Sequence, residues 1–278
     1  MDFESLQVVL ESVIGPRVLQ MRERGELGTK AKGGQHWDIV TEADKFAEET
    51  LTEWVKVNHP THGVEGEEGA RIVGTSGYVW YFDPIDGTIN FERGSDFWGV
   101  SCGLLHNGVP LYGMVYYPAL RKTFSATPAV EGAQCVTKEG LHWYDMQVSS
   151  MDNWWMRPPA PTLKQALVVA NCWVGFESVF FAIRQNCKNA VMFGSMVYDV
   201  LTLVEGKVDA VFHMGATPYD IAAITAIARA AGCTVSGIMT DELDFSQKKI
   251  PVIFARSESL RDQLRMVIKE AMLDAAVK

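Results

Sequence analysis

No two cysteines in this sequence stand at CxxC spacing: Cys102, Cys135, Cys172, Cys187 and Cys233 are odd in number and far apart. That argues against a zinc cluster or a disulfide framework and for reduced thiols. Positive charge is scarce as well. Lys and Arg number 25 against 34 Asp and Glu, a formal net charge of −9, so no general basic field exists to draw nucleic acid or an anionic membrane. No apolar run nears the ~18 residues of a membrane span, and the opening MDFESLQVVLES carries acids where a secretory leader carries Lys or Arg. A cytoplasmic protein without nucleic-acid or membrane partners is the expectation. Repeats and low-complexity segments are missing too. What is present suits a globular chain, with 47% hydrophobic and 21% charged residues over 278 positions, enough to bury a substantial core.

The most informative stretch is YVWYFDPIDGTINF, Tyr78 to Phe91, where a hydrophobic run ends abruptly in acids, a proline and a glycine. This pattern predicts a buried strand that delivers Asp83 and Asp86 to its tip, with Pro84 stiffening the turn between them. Two close carboxylates repel each other unless a cation neutralises them, so a dry strand end carrying both suits Mg²⁺. Gly87 lets a ligand approach the backbone, and the N–H groups that follow suit phosphate. Taken alone, DxxDG is equally a surface turn, since Asp, Pro and Gly are common turn residues.

Other acids fall at helix starts or in loops. Thr41 predicts a cap for a helix carrying the apolar stripe Phe46, Leu51, Trp54 and Val55, with Asp44 in its first turn. Thr217 predicts a second cap, with Pro218 at the first helical position, Asp220 in the first turn and Gly232 as the stop. An acid at either place complements the helix dipole without further purpose. Glu65, Glu67 and Glu68 bunch in the loop HGVEGEEGA. GTKAKGGQH, Gly28 to His36, is a glycine- and lysine-rich loop whose Lys30 and Lys32 are either solvated or within reach of an anion.

Elsewhere, Phe3 to about Glu26 reads as a helix that Pro16 kinks or divides, and Asn107-Gly108 marks a hairpin turn. Ser149 to Lys164 breaks the strand pattern and carries Trp154 and Trp155. From Leu167, strand and helix alternate in LVVAN, GFESVFFAIRQN, AVMF, MVYDVLTLVEG and VDAVF, and SESLRDQLRMVIKEAML is an amphipathic packing helix. Two halves are expected, 1–152 and 153–278, closely packed with a site between them.

WDIVTEAD at Trp37 to Asp44, GEE at Gly66 to Glu68, DPIDGT at Asp83 to Thr88 and YDIAA at Tyr219 to Ala223 together resemble the inositol monophosphatase family of metal-dependent phosphatases. The resemblance implies an αβαβα layered sandwich of the inositol monophosphatase and fructose-1,6-bisphosphatase type, a homodimer, and two or three Mg²⁺ per site. By it, Glu67 and Asp83 with the Ile85 carbonyl hold one ion, and Asp83, Asp86 and Asp220 hold another. Asp44, Glu67 and Thr88 orient and deprotonate the attacking water, with no covalent phosphoenzyme, and Asp38 has only a structural or supporting role. Gly87 and Thr88 meet the phosphate, and Asp86, Gly194, Ser195, Met196, His213 and Asp220 line the substrate.

Hydrolysis of a small phosphate monoester, inhibited by lithium, is the implied activity. A related phosphatase acting on histidinol phosphate, a sugar bisphosphate or a 3′-phosphonucleotide is the alternative, and a partner-binding regulatory protein that keeps the fold is the alternative of another class. Where the family usually has Glu to accept from inositol hydroxyls, this chain has His213. Where it usually has a small residue, this chain has Met196. Both departures point to a substrate other than inositol monophosphate, one carrying a second anionic group.

Overall fold

The computed structural model describes residues 3–32, 39–127, 134–139, 142–145, 158–172 and 175–276. The chain opens with α1 (Phe3–Val9) and α2 (Gly15–Glu23), joined by a π-helical turn at Leu10–Ile14. Pro16 lies in the first turn of α2, where its missing N–H does no harm, and the wider turn before it relieves the clash of its ring. A two-stranded ribbon, β1 (Lys30–Ala31) with β2 (Ile39–Val40), leads into α3 (Glu42–Asn58).

Next come β3 (Gly63–Gly66), β4 (Arg71–Ile72), β5 (Tyr78–Asp86), the short α4 (Thr88–Glu92), β6 (Gly99–His106) and β7 (Val109–Tyr117). Asn107 and Gly108 join β6 to β7 with φ of 49° and 81°, the geometry their hairpin turn requires. With β8 (Lys122–Thr127), β9 (Gln134–Glu139) and β10 (His142–Asp145), these strands form an eight-stranded sheet in the order β10-β9-β8-β7-β6-β5-β3-β4. Its pairs are antiparallel except for β3 with β5.

A second sheet is built from β11 (Leu167–Asn171), α5 (Glu177–Asn186), β12 (Asn189–Val191), α6 (Met196–Val204), β13 (Ala210–Ala216), α7 (Pro218–Ala230), β14 (Thr234–Gly237), β15 (Ile250–Ala255) and the closing α8 (Glu258–Ala276). Its order is β12-β11-β13-β15-β14. The strands β14 and β15 are additions to the sequence pattern. IPVIFA is a short β-branched run without turn punctuation, and it pairs antiparallel to β13.

Strand alternation assigns each face to a layer. In β5, Trp80 and Phe82 face α1, α2 and α3, while in β7 Val115 and Tyr117 face the opposite way. Between the sheets lie α6 and α7, packed on Val115, Tyr117 and Phe124 from one sheet and Val169, Val211 and Phe254 from the other. On the far face, Val168, Ala170, Phe212 and Ile253 pack against α5 and α8. The order is helix, sheet, helix, sheet, helix, the expected sandwich. α7 sits so close to the eight-stranded sheet that a Cβ on Gly113 would collide with the Ala223 carbonyl, and one on Gly103 with Ala222.

Candidate active site

β5 carries the acids to the middle of the molecule. Its register against β6 shifts between Asp83, opposite Ser101, and Asp86, opposite Gly99. The irregularity spans Pro84, which has no N–H for the ladder, so the proline makes the bulge and the bulge re-aims the two acids. Within the turn the Ile85 N–H donates to Asp83 Oδ1 at 3.1 Å, and the Thr88 hydroxyl donates to the Ile85 carbonyl at 3.0 Å. Gly87 has φ of 89°, and a Cβ there would lie 2.9 Å from both the Phe97 carbonyl oxygen and Ser195 Cβ. Only glycine fits.

Asp86 crosses to the other half of the chain. Its Oδ1 accepts from the Met196 N–H at 2.8 Å and its Oδ2 from the Val197 N–H at 2.9 Å, so it binds the first turn of α6 as an anion would. The Met196 N–H is therefore spent on Asp86 and is not offered to substrate. Met196 itself is buried in the core between the sheets and does not project as a bulky wall.

Two capping boxes hold the remaining acids. The Thr41 N–H donates to Asp44 Oδ2 at 2.8 Å, and the Thr217 N–H donates to Asp220 Oδ2 at 2.6 Å. Asp44 Oδ1 is buried and without a hydrogen-bond partner among the described residues. Burial pushes the Asp44 pKa up to about 6 against the Thr41 bonds that lower it. The Thr88 hydroxyl donates to the Ile85 carbonyl, so Thr88 and Asp44 are not hydrogen-bonded to each other.

The carboxylates raise one another. Asp83 lies well above the usual carboxylate range because burial removes it from water and because Glu67, Asp86 and Asp220 all repel its charge. Asp86 is raised by burial and by Asp220, and Asp220 by burial and by Glu67. Among the described residues no three His, Cys, Asp or Glu side chains are already drawn together as ligands of one ion. The donor set nonetheless fits hard cations, since mutually repelling buried carboxylates are what Mg²⁺ neutralises.

Lys32 supplies a positive charge of the chain's own, 2.9 Å from Glu67 and 2.6 Å from Glu68. Burial works against the lysine's charge, yet the two glutamates outweigh it and raise its pKa. Lys32 thus binds carboxylate, while Lys30 is exposed on β1. Asp38, Trp154 and Trp155 lie outside the described residues. His213, on β13, is buried, its Nδ1 lacks a partner among the described residues, and burial with Lys249 nearby pulls its pKa down to about 4. That shift favours the neutral imidazole, which offers one donor and one acceptor.

Two acids escaped the sequence reading. Glu48 on α3 accepts from the Glu68 N–H at 2.8 Å and the Ala70 N–H at 2.7 Å, which holds the GEE loop in place. Its signal was a charge inside the buried stripe of Asp44, Ala47, Leu51 and Val55. Asp199, buried on the apolar α6, has its pKa raised by burial and by Asp86. Conversely, Gly99-Val100-Ser101-Cys102-Gly103 spells G-x-S-x-G, but Ser101 is fully buried in mid-strand and not on a strand-to-helix elbow.

The chain matches the inositol monophosphatase family over residues 5–270. It is 29% identical over 241 residues to an inositol-1-monophosphatase of Synechocystis sp., an alignment covering 84% of this chain and 76% of that protein. It is also 29% identical to the Nus factor SuhB of Vibrio cholerae, covering 80% of each. The structure of the Thermotoga maritima IMPase superposes with a TM-score of 0.80 at 24% identity, over 99% of this chain and 100% of that one. This chain therefore belongs to the inositol monophosphatase family and is a phosphoric monoester hydrolase.

Proposed function

We propose that the chain hydrolyses a small phosphate monoester with two or three Mg²⁺, held by Glu67, Asp83, the Ile85 carbonyl, Asp86 and Asp220. The observation that carries this reading is that Asp83 feels Glu67, Asp86 and Asp220 at once, acids brought from separate segments together, Asp83 and Asp86 buried and Glu67 and Asp220 half-buried. When bound, the ions would offset the phosphate's charge and lower the pKa of water. Asp44, with one oxygen fixed by Thr41 and the other unpartnered, would with Thr88 and Glu67 orient and deprotonate the attacking water. A carboxylate with a pKa of about 6 is well matched to a proton transfer near neutrality. The Gly87 and Thr88 N–H groups would hold phosphate oxygens. The test is turnover with Mg²⁺, with chelator, with Ca²⁺ and with Li⁺. Mg²⁺ alone should support full rates, and full turnover in chelator ends the proposal.

The substrate differs from inositol monophosphate beyond the phosphate. His213 supports this, because a neutral imidazole offers one acceptor where a carboxylate offers several. A phosphate-ester panel compared in wild type and His213→Glu tests it. A strong wild-type preference for inositol monophosphate, unimproved by the substitution, ends the idea.

The two sheets, drawn from residues 63–145 and 167–255, support reading 1–152 and 153–278 as two packed halves. The free thiols of Cys102, Cys172, Cys187 and Cys233, counted among the described residues, support a reducing compartment such as the cytoplasm. Exposed Phe97 and Met192 beside Phe193 support a homodimer, which light scattering would measure. The likeness to a Nus factor favours a second role in partner binding, which a pull-down with transcription factors addresses.

A further inference from the structure

We infer that Glu48 is a positioning residue for the candidate metal centre, its carboxylate holding the backbone of the GEE loop so that Glu67 is aimed before a cation arrives. The inference rests on the metal-dependent phosphatase reading above and adds a residue that itself touches neither ion nor substrate. Glu48 stands one helical turn beyond Asp44 on the same side of α3 and is buried, 4% exposed. Its Oε2 accepts from the Glu68 N–H at 2.8 Å and its Oε1 from the Ala70 N–H at 2.7 Å. Both oxygens are committed to one loop.

The loop is tied to β5 as well. The Gly66 N–H closes it by donating to the Ala70 carbonyl at 2.8 Å, and the Glu67 N–H donates at 3.1 Å to the carbonyl of Phe82, the neighbour of Asp83. Glu67 is thereby fixed from one side by the strand that carries Asp83 and from the other by α3. Gly66 gives an independent sign of the same clamp. A Cβ there would overlap the Glu48 carboxylate, which supplies all three of its nearest atoms, and Gly66 does not have the positive φ that calls for glycine. The glycine is needed for room alone. Lys32 differs, because it grips the side chains of Glu67 and Glu68 and so competes with a cation for them. Glu48 holds only N–H groups, so its bonds can persist when an ion binds. A carboxylate aimed in advance loses less freedom on coordination, and groups that orient a metal ligand in this way contribute about 10- to 100-fold in metal affinity.

The experiment measures Mg²⁺ binding by calorimetry without substrate, amide hydrogen exchange at Glu68 and Ala70, and kcat for p-nitrophenyl phosphate against Mg²⁺ concentration. Wild type is compared with Glu48→Ala, Glu48→Gln, Gly66→Ala and the double variant Glu48→Ala with Gly66→Ala. In Glu48→Ala the Mg²⁺ Kd and the Mg²⁺ concentration for half-maximal rate should rise about tenfold or more, with both amides exchanging faster and kcat at saturating Mg²⁺ within a few-fold of wild type. Glu48→Gln keeps the shape but turns an NH₂ group towards one of the two N–H donors, and should show the same change to a smaller extent. Gly66→Ala should weaken Mg²⁺ binding by itself and add nothing in the Glu48→Ala background, where the new methyl enters vacated space. A lowered Tm with an unchanged Mg²⁺ Kd in Glu48→Ala means a structural role only and overturns the assignment, as do additive losses of Mg²⁺ affinity in the double variant. If Glu48→Ala does not fold, Glu48→Gln and Gly66→Ala decide by the same change in Kd. A wild type that neither binds Mg²⁺ nor needs it for turnover overturns the metal reading, and the Glu48 assignment with it.

Discussion

Asp44 at the start of α3 and Asp220 at the start of α7 occupy the same station in two copies of one local motif. In each, a Thr caps the helix, the acid stands three residues on, and its Oδ2 accepts from the cap's own N–H. Burial raises both carboxylates. The surroundings differ. Asp220 faces Glu67 and Asp86, whereas the free oxygen of Asp44 points into a buried space with no partner among the described residues. A capping box ties down one oxygen and thereby aims the other, with little orientation left to lose. Whether that oxygen becomes a cation ligand or a proton acceptor is decided by residues distant in sequence.

The comparison breaks most sharply under isosteric substitution. Asp220→Asn keeps an acceptor for the Thr217 N–H but removes the charge of a proposed metal ligand, so kcat should fall by about 10³-fold or more with Tm nearly unchanged. Asp86→Asn should behave similarly in rate. Asp44→Asn removes the proposed proton acceptor and should cost about 10²-fold. Steady-state kinetics alongside thermal melts would separate the two classes. If Asp44→Asn stays within a few-fold of wild type, its box is only a cap.

A smaller effect concerns stability against pH in the metal-free protein. An Asp ordinarily titrates near 3.9, while folded Asp44 titrates at about 6. The folded chain therefore holds this proton more tightly than the unfolded one. Its stabilising contribution is complete below about pH 4 and is lost as pH rises through 6, on the order of 3 kcal/mol. Denaturant melts at pH 5 and pH 7.5 should show a smaller difference in Asp44→Asn than in wild type. An equal or larger difference would show that Asp44 does not carry the effect. Smallest of all, Thr41→Ala and Thr217→Ala should each lower stability by about 1 kcal/mol. A loss at one cap only would mean that the two boxes are not equivalent even as caps.

Both boxes were legible in the sequence because a cap and its acid are three residues apart and need no tertiary information. The same holds for the Asp83–Thr88 turn and for Asn107-Gly108. What stayed hidden depends on long-range contacts. Lys32 meets Glu67 across 35 residues and Asp86 meets Met196 across 110, separations that no local pattern encodes. β13 hid its layout in another way: all seven of its residues are buried, so the run AVFHMGA shows no alternation to say where His213 points.

The closeness of α7 to the eight-stranded sheet has a mechanical consequence. At Gly103 and Gly113 there is no room for even a methyl group between the helix that presents Asp220 and the sheet that presents Asp83 and Asp86. The two parts of the site are seated backbone to backbone, like jaws cast in one piece. Hinge opening between them would have to part this contact and expose the whole apolar layer of α6 and α7. Access for substrate and escape for product then fall to the connections around the rim and not to a hinge between α7 and the sheet.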